Sequence, residues 1–130
     1  METNQAVKKI LAKHRDILLC ILFGSVAGQK EKPSSDLDIA IACNTQIDAQ
    51  KKQALIKELA MKFGRPVDLI DLQITSGTLL HQILTKGTII FCNDHQLYAK
   101  IMKRMLFNQA DMMPYHHRIL KRRREKWINE

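Results

Sequence analysis

Apolar positions recur along this chain in two rhythms. Between residues 4 and 14 they fall at Ala6, Val7, Ile10 and Leu11 with lysines between, the spacing of one helix face. Residues 17–23, ILLCILF, are continuously apolar and bounded by Gly24, which predicts a central strand. Residues 29–35 contain Pro33 and read as a loop. A second strand follows, with Leu37, Ile39 and Ile41 on one face and Asp36 and Asp38 on the other, because strand side chains alternate. Ala40 and Ala42 continue the carboxylate face with small side chains, so the pattern predicts open room above it.

Thr45 is expected to open a helix, with Asp48 three residues on in the manner of a capping box and Gly64 as its end. The predicted apolar stripe is Ala49, Leu55, Leu59, Met61 and Phe63. Residues 66–72, PVDLIDL, form a third strand that places Asp68 with Ile70 and sets Val67, Leu69 and Asp71 on the other face. Asp71, at the strand's end, reads as solvent-facing or helix-capping. Thr75 or Ser76 caps a helix to about residue 84, Gly87 follows, and residues 88–92 are a fourth strand. From Asn93 the pattern is helical, with Asp94 as cap, Pro114 as a break, and Leu97, Ile101, Met105 and Leu106 as the docking face. The expected fold is therefore α/β (α+β): a small mixed sheet of about four to five strands packed against helices, with helices at the C-terminus.

A chain of 130 residues is one domain by size, with room for one core. We divide it into a body over about 10–92 and a basic helical segment over about 94–128. No run is long enough to cross a membrane as a helix, and METNQAVKKI lacks the apolar stretch of a signal peptide, so a cytoplasmic protein is expected. Cys20, Cys43 and Cys92 lie in or beside apolar runs without CxxC spacing, which predicts reduced, buried thiols over zinc or a disulfide. The net charge of +8 favours an anionic partner: nucleotide, RNA or an acidic protein. The densest basic run is HHRILKRRREKWINE, where Arg118, Lys121, Arg122, Arg123, Arg124 and Lys126 surround Trp127. That run is either a solvated face or a surface for RNA or an acidic protein.

The chemistry-bearing stretch is residues 17–43. Asp36 and Asp38 project the same way about 6 to 7 Å apart, a spacing that suits two hard divalent cations, Mg²⁺ or Mn²⁺, about 3.5 to 4 Å apart. Such a pair clamps the attacking and leaving oxygens of a phosphoryl or nucleotidyl transfer. Gly24 and Ser25 end the preceding strand, where glycine admits close backbone approach and free amides at a helix start bind phosphate. Alone, each motif is common. Gly-Ser, ten residues, then Asp-x-Asp arises by chance in about one chain in a thousand at average residue frequencies.

At these residues the chain resembles the nucleotidyltransferase superfamily with a DNA polymerase β type palm, whose signature is GS, a spacer and DxD. Its small size is similar to the minimal nucleotidyltransferases (MNT), the MntA-type antitoxins paired with HEPN toxins. The resemblance spans roughly residues 10–92. It implies a third catalytic acid in a short hydrophobic-Asp-hydrophobic strand, a role carried to Asp68 between Val67 and Leu69, with Asp71 as the alternative. It further implies ATP as substrate, with β and γ phosphates against Gly24 and Ser25, Mg²⁺ on Asp36, Asp38 and Asp68, and adenylyl transfer to a tyrosine of a HEPN ribonuclease toxin. Many relatives place an arginine just after Gly-Ser; here Val26, Ala27 and Gly28 stand there, and the triphosphate contact is assigned to Lys30 or Lys32. Because the chain has no residues for an acceptor-holding domain, a partner protein is expected to present the acceptor. The competing readings are an antitoxin acting by binding alone and an RNA-end or small-molecule nucleotidyltransferase.

Overall fold

The computed structural model describes residues 2–24 and 36–107. In chain order the elements are α1 (Glu2–Leu11), β1 (Leu19–Phe23), β2 (Leu37–Ala42), α2 (Ala49–Phe63), β3 (Val67–Asp71), α3 (Gly77–Lys86) and β4 (Thr88–Cys92). A further helix, α4, occupies 95–107. The loop and basic-tail residues singled out above, Ser25, Lys30, Lys32 and the run from Arg118 to Trp127, lie outside the described residues.

The four strands among the described residues form one sheet in the order β3-β2-β1-β4. β1 runs antiparallel to both β2 and β4, and β2 runs parallel to β3. The mixed character follows from the connections: α2 carries the chain from the end of β2 back to the start of β3, as a parallel pair demands. Helix and strand boundaries shift where backbone groups are already engaged. The amide of His14 donates to Leu11 O and that of Ile17 to His14 O, both at 3.0 Å, so α1 stops at Leu11 and strand pairing waits until the turn is complete.

The start of α2 departs from the expectation for Thr45. Asp48 is itself the N-cap, its Oδ1 accepting from the Lys51 amide at 2.7 Å. The Ile47 amide is held by Asp71 Oδ2 at 2.8 Å, which keeps the preceding residues extended until Asp48. Gly64 closes the helix with a left-handed φ of 64°, as its position predicts. Of the predicted stripe, Leu55 and Leu59 are buried, whereas Met61 is 76% exposed. Two residues from Leu59, it lies about 200° around the helix and faces water.

Both faces of the sheet are covered. Leu37, Ile39 and Ile41 pack with Val7, Ile10 and Leu11 of α1 and Leu55 and Leu59 of α2. Ala40 and Ala42 belong to a second core with Leu80 and Ile83 of α3 and Ile101 and Met105 of α4. The room expected above these alanines is thus filled: small side chains on β2 let two helices approach that face. The result is three layers, helices on each side of one sheet, and the carboxylate face stays open only at the sheet's end. Among the described residues no helix is long and apolar enough to cross a membrane. Cys20 and Cys43 are buried and Cys92 partly so, and none is in a disulfide. Burial pushes the Cys20 thiol up to about 12 and, first among several causes, the Cys43 thiol up to about 11, which keeps both protonated.

Candidate active site

Three strands deliver their residues to one end of the sheet. β2 and β3 start there and β1 finishes there, so Phe23 lies opposite Asp38 on one side and Asp68 lies opposite Asp38 on the other. Parallel neighbours in register present their side chains to the same face, so Asp38 and Asp68 stand side by side. Asp36 precedes β2 by one residue and is exposed; the Leu37 amide beside it donates to Pro66 O at 2.8 Å and locks the starts of β2 and β3 together. The structure therefore brings together Asp36, Asp38 and Asp68. It also separates Asp68 from Asp71, which faces the other way.

Gly24 has a closer relation to these acids than its sequence position suggests. Its φ is +78°, a conformation that L side chains rarely adopt, and a Cβ there would overlap Asp38 Oδ2 and lie 3.1 Å from its Cγ. Glycine is required because the Asp38 carboxylate occupies the space a side chain would take. The end of β1 and the start of β2 are thereby fitted to each other.

The electrostatics agree with the placement. Burial raises the Asp38 carboxyl above the usual carboxylate range, and the neighbouring charges of Asp68 and then Asp36 push it the same way. Each of these effects is relieved by a cation. Among the described residues no group of three or more His, Cys, Asp or Glu side chains is placed to hold a metal ion by itself. The arrangement is an open row of carboxylate oxygens, the kind of donor set that suits Mg²⁺, which keeps several waters and takes further oxygens from a bound phosphate.

Asp71 corrects the expectation of a solvent-facing or helix-capping acid. It is 7% exposed, and its two oxygens accept from the amides of Ile47 at 2.8 Å and Gln73 at 2.9 Å. Its neighbour Gln73 reaches the carbonyl of Cys43, and Arg104 of α4 donates to the carbonyls of Leu72, Gln73 at 2.9 Å and Thr75 at 3.0 Å. Nothing in the spacing of the sequence signals the Arg104 contacts, since they join residues about 30 positions apart only after α4 has crossed the sheet. Among the described residues, one open groove of about 580 Å³ lies between α1 and α2 and another of about 550 Å³ beside the end of β3; neither of these is lined by the three acids.

Residues 5–96 match the model of the Polymerase beta nucleotidyltransferase family. The chain belongs to that family. It is 29% identical over 101 residues to the protein adenylyltransferase MntA of Shewanella oneidensis, covering 76% of this chain and 73% of that protein. A solved toxin-antitoxin complex with AMP-PNP contains a chain of the same fold, with a TM-score of 0.72 and 25% identity over 90% of this chain and 98% of that one. Another, the tri-AMPylated Shewanella oneidensis HEPN toxin with its MNT antitoxin, matches with a TM-score of 0.67 and 26% identity over 90% of this chain and 95% of that one.

Proposed function

We propose that this nucleotidyltransferase transfers AMP from ATP to a hydroxyl of a HEPN toxin, preferentially a tyrosine, and so acts as the toxin's antitoxin. The observation that carries the reading is the register of Asp38 against Asp68 with Gly24 fitted to the Asp38 carboxylate. Support comes from relatives whose names specify protein adenylyl transfer and an AMPylated HEPN toxin.

In this reading the backbone of Gly24 and Ser25 seats the β and γ phosphates, and Lys30 or Lys32 supplies countercharge. Asp36, Asp38 and Asp68 hold two Mg²⁺ ions, with Mn²⁺ as an acceptable substitute; when bound, the metal neutralises the acids and the charge developing on the phosphate oxygens. Asp68 is placed to take the proton of the incoming hydroxyl. The hydroxyl oxygen bonds to the α phosphorus, the bond from that phosphorus to the bridging oxygen of pyrophosphate breaks, and pyrophosphate leaves with the electron pair. In this reading residues 1–130 act as one minimal catalytic domain in the cytoplasm, and the basic residues between 118 and 126 supply the charge for a contact with RNA or with an acidic face of the toxin.

The test is incubation with α-labelled ATP, Mg²⁺ and the HEPN toxin, beside an Asp36→Asn, Asp38→Asn double variant. Label on the toxin that requires both aspartates is expected. A toxin that is neutralised without label would replace this reading with inhibition by binding.

A further inference from the structure

We infer that the acceptor polypeptide docks as an extended segment along the outer edge of β3, an inference that rests on the adenylyl-transfer reading above. β3 is an edge strand: among the described residues it pairs only with β2. Its outer side therefore offers a row of backbone donors and acceptors, the template used when a peptide adds a strand to a sheet.

Exposed apolar side chains lie beside this edge, in a groove that Gln46, Lys52, Asp71, Thr75 and Ser76 also line. The groove of about 550 Å³ at the far end of β3 is lined by Ile47, Ile70, Ile74 and Leu79. Ile74 is 60% and Leu79 40% exposed, although two dense cores bury most of the large apolar side chains. Ile74 and Leu79 face the same groove, so they offer an apolar contact to whatever pairs with the edge.

The groove is not lined by the three acids, but one of its residues, Ile70, shares a strand with Asp68. Ile70 follows Asp68 by two residues on the same face of the same strand, about 7 Å along it. A segment paired to β3 with its hydroxyl residue opposite Asp68 places the residue two positions away opposite Ile70, at the groove's mouth. The occupant is accordingly a polypeptide stretch in which the modified hydroxyl residue stands two positions from an apolar side chain. A nucleotide or a small sugar acceptor has neither the ladder groups nor the reach to use both features. The MNT antitoxin that shares this fold is found in complex with an AMPylated HEPN toxin, which fits a polypeptide acceptor.

The experiment is steady-state transfer from α-labelled ATP to the HEPN toxin of the same genome, by the wild type and by Ile74→Asp, Leu79→Ser and Met61→Asp. Met61 is 76% exposed on α2 and does not line the groove, so it controls for an added surface charge. Ile74→Asp is expected to raise KM for the toxin about tenfold or more, and Leu79→Ser several-fold, with kcat within about twofold. Thermal stabilisation by Mg²⁺ and ATP stays as in the wild type for both, and Met61→Asp behaves as wild type throughout. Should Ile74→Asp fail to fold, Leu79→Ser decides. Wild-type KM in the groove variants, or an equal rise in Met61→Asp, overturns the docking assignment while leaving adenylyl transfer intact. A wild type that places no label on the toxin removes adenylyl transfer itself, and the docking assignment with it.

Discussion

The two ends of β3 carry the same residue type under opposite conditions. Asp71 is buried, and both its oxygens accept backbone N–H groups that pin the 46–48 loop and the β3 exit. Asp68 is exposed, stands in register with Asp38, and adds to the charge that raises the Asp38 carboxyl. A carboxylate whose charge is answered by fixed amides stabilises a fold. A carboxyl raised by burial and by the charges of neighbouring acids, as Asp38 is, suits a cation that is not part of the chain. The difference between the structural acid Asp71 and the proposed catalytic acid Asp68 thus lies in what surrounds each group, three residues apart in one strand.

The comparison breaks most visibly at the catalytic end. Asp38→Asn should lower adenylyl transfer about a thousandfold or more, equivalent to roughly 4 kcal/mol of barrier, with the fold retained by circular dichroism. At the other end Asp71→Ala should leave the buried Ile47 amide and the half-buried Gln73 amide without an acceptor and cost about 2–3 kcal/mol in urea unfolding. Its effect on transfer should follow from instability alone and vanish at low temperature. If Asp71→Ala abolished transfer in fully folded protein, the division between the two ends would be wrong.

A subtler break lies at Gly24. Gly24→Ala forces a side chain into a positive φ and against the Asp38 carboxylate, so about 1–3 kcal/mol of stability should be lost together with metal-dependent transfer. Combined with Asp38→Gly, which removes the clashing carboxylate, the stability loss should shrink, as a double-mutant cycle would measure.

The smallest expected effect concerns pH. The folded Asp38 carboxyl is raised above its ordinary 3.8, so between these values the folded state binds more protons than the unfolded one. Stability from this group is therefore present below 3.8 and declines as pH rises through the folded value, the reverse of a salt-bridged aspartate. Without metal, Asp38→Asn should unfold about 1–4 °C above the wild type at pH 7, with the gap closing towards acid. Adding Mg²⁺ should stabilise the wild type more than the variant. A wild type more stable than Asp38→Asn without metal would show that the carboxylate is already compensated.

Much of this was legible beforehand because it depends on local periodicity. The strand over 88–92 and the cap at Asp94, whose Oδ1 accepts from the Leu97 amide at 3.0 Å, follow from short-range pattern alone. Alternation along β3 sets Asp68 and Asp71 on opposite faces, but that Asp68 shares the Asp38 face is decided only by the pairing of the two strands in register. The misreadings at Thr45, Met61 and Asp71 share one cause. Each turned on a partner remote in sequence: the Asp71 carboxylate acting on Ile47, or the direction from which the sheet meets α2.

The sequence by itself determined the alternating strand that aims Asp36 and Asp38 together, the glycine before the loop and the apolar faces of the helices, because these depend on the fixed geometry of strand and helix. Only the tertiary structure decided that Ala40 and Ala42 lie under α3 and α4, that Gly24 must yield its side-chain space to Asp38, and that Asp71 is a buried clamp. Those outcomes require segments far apart in the chain to occupy the same few ångströms, and no local pattern encodes which segment arrives there.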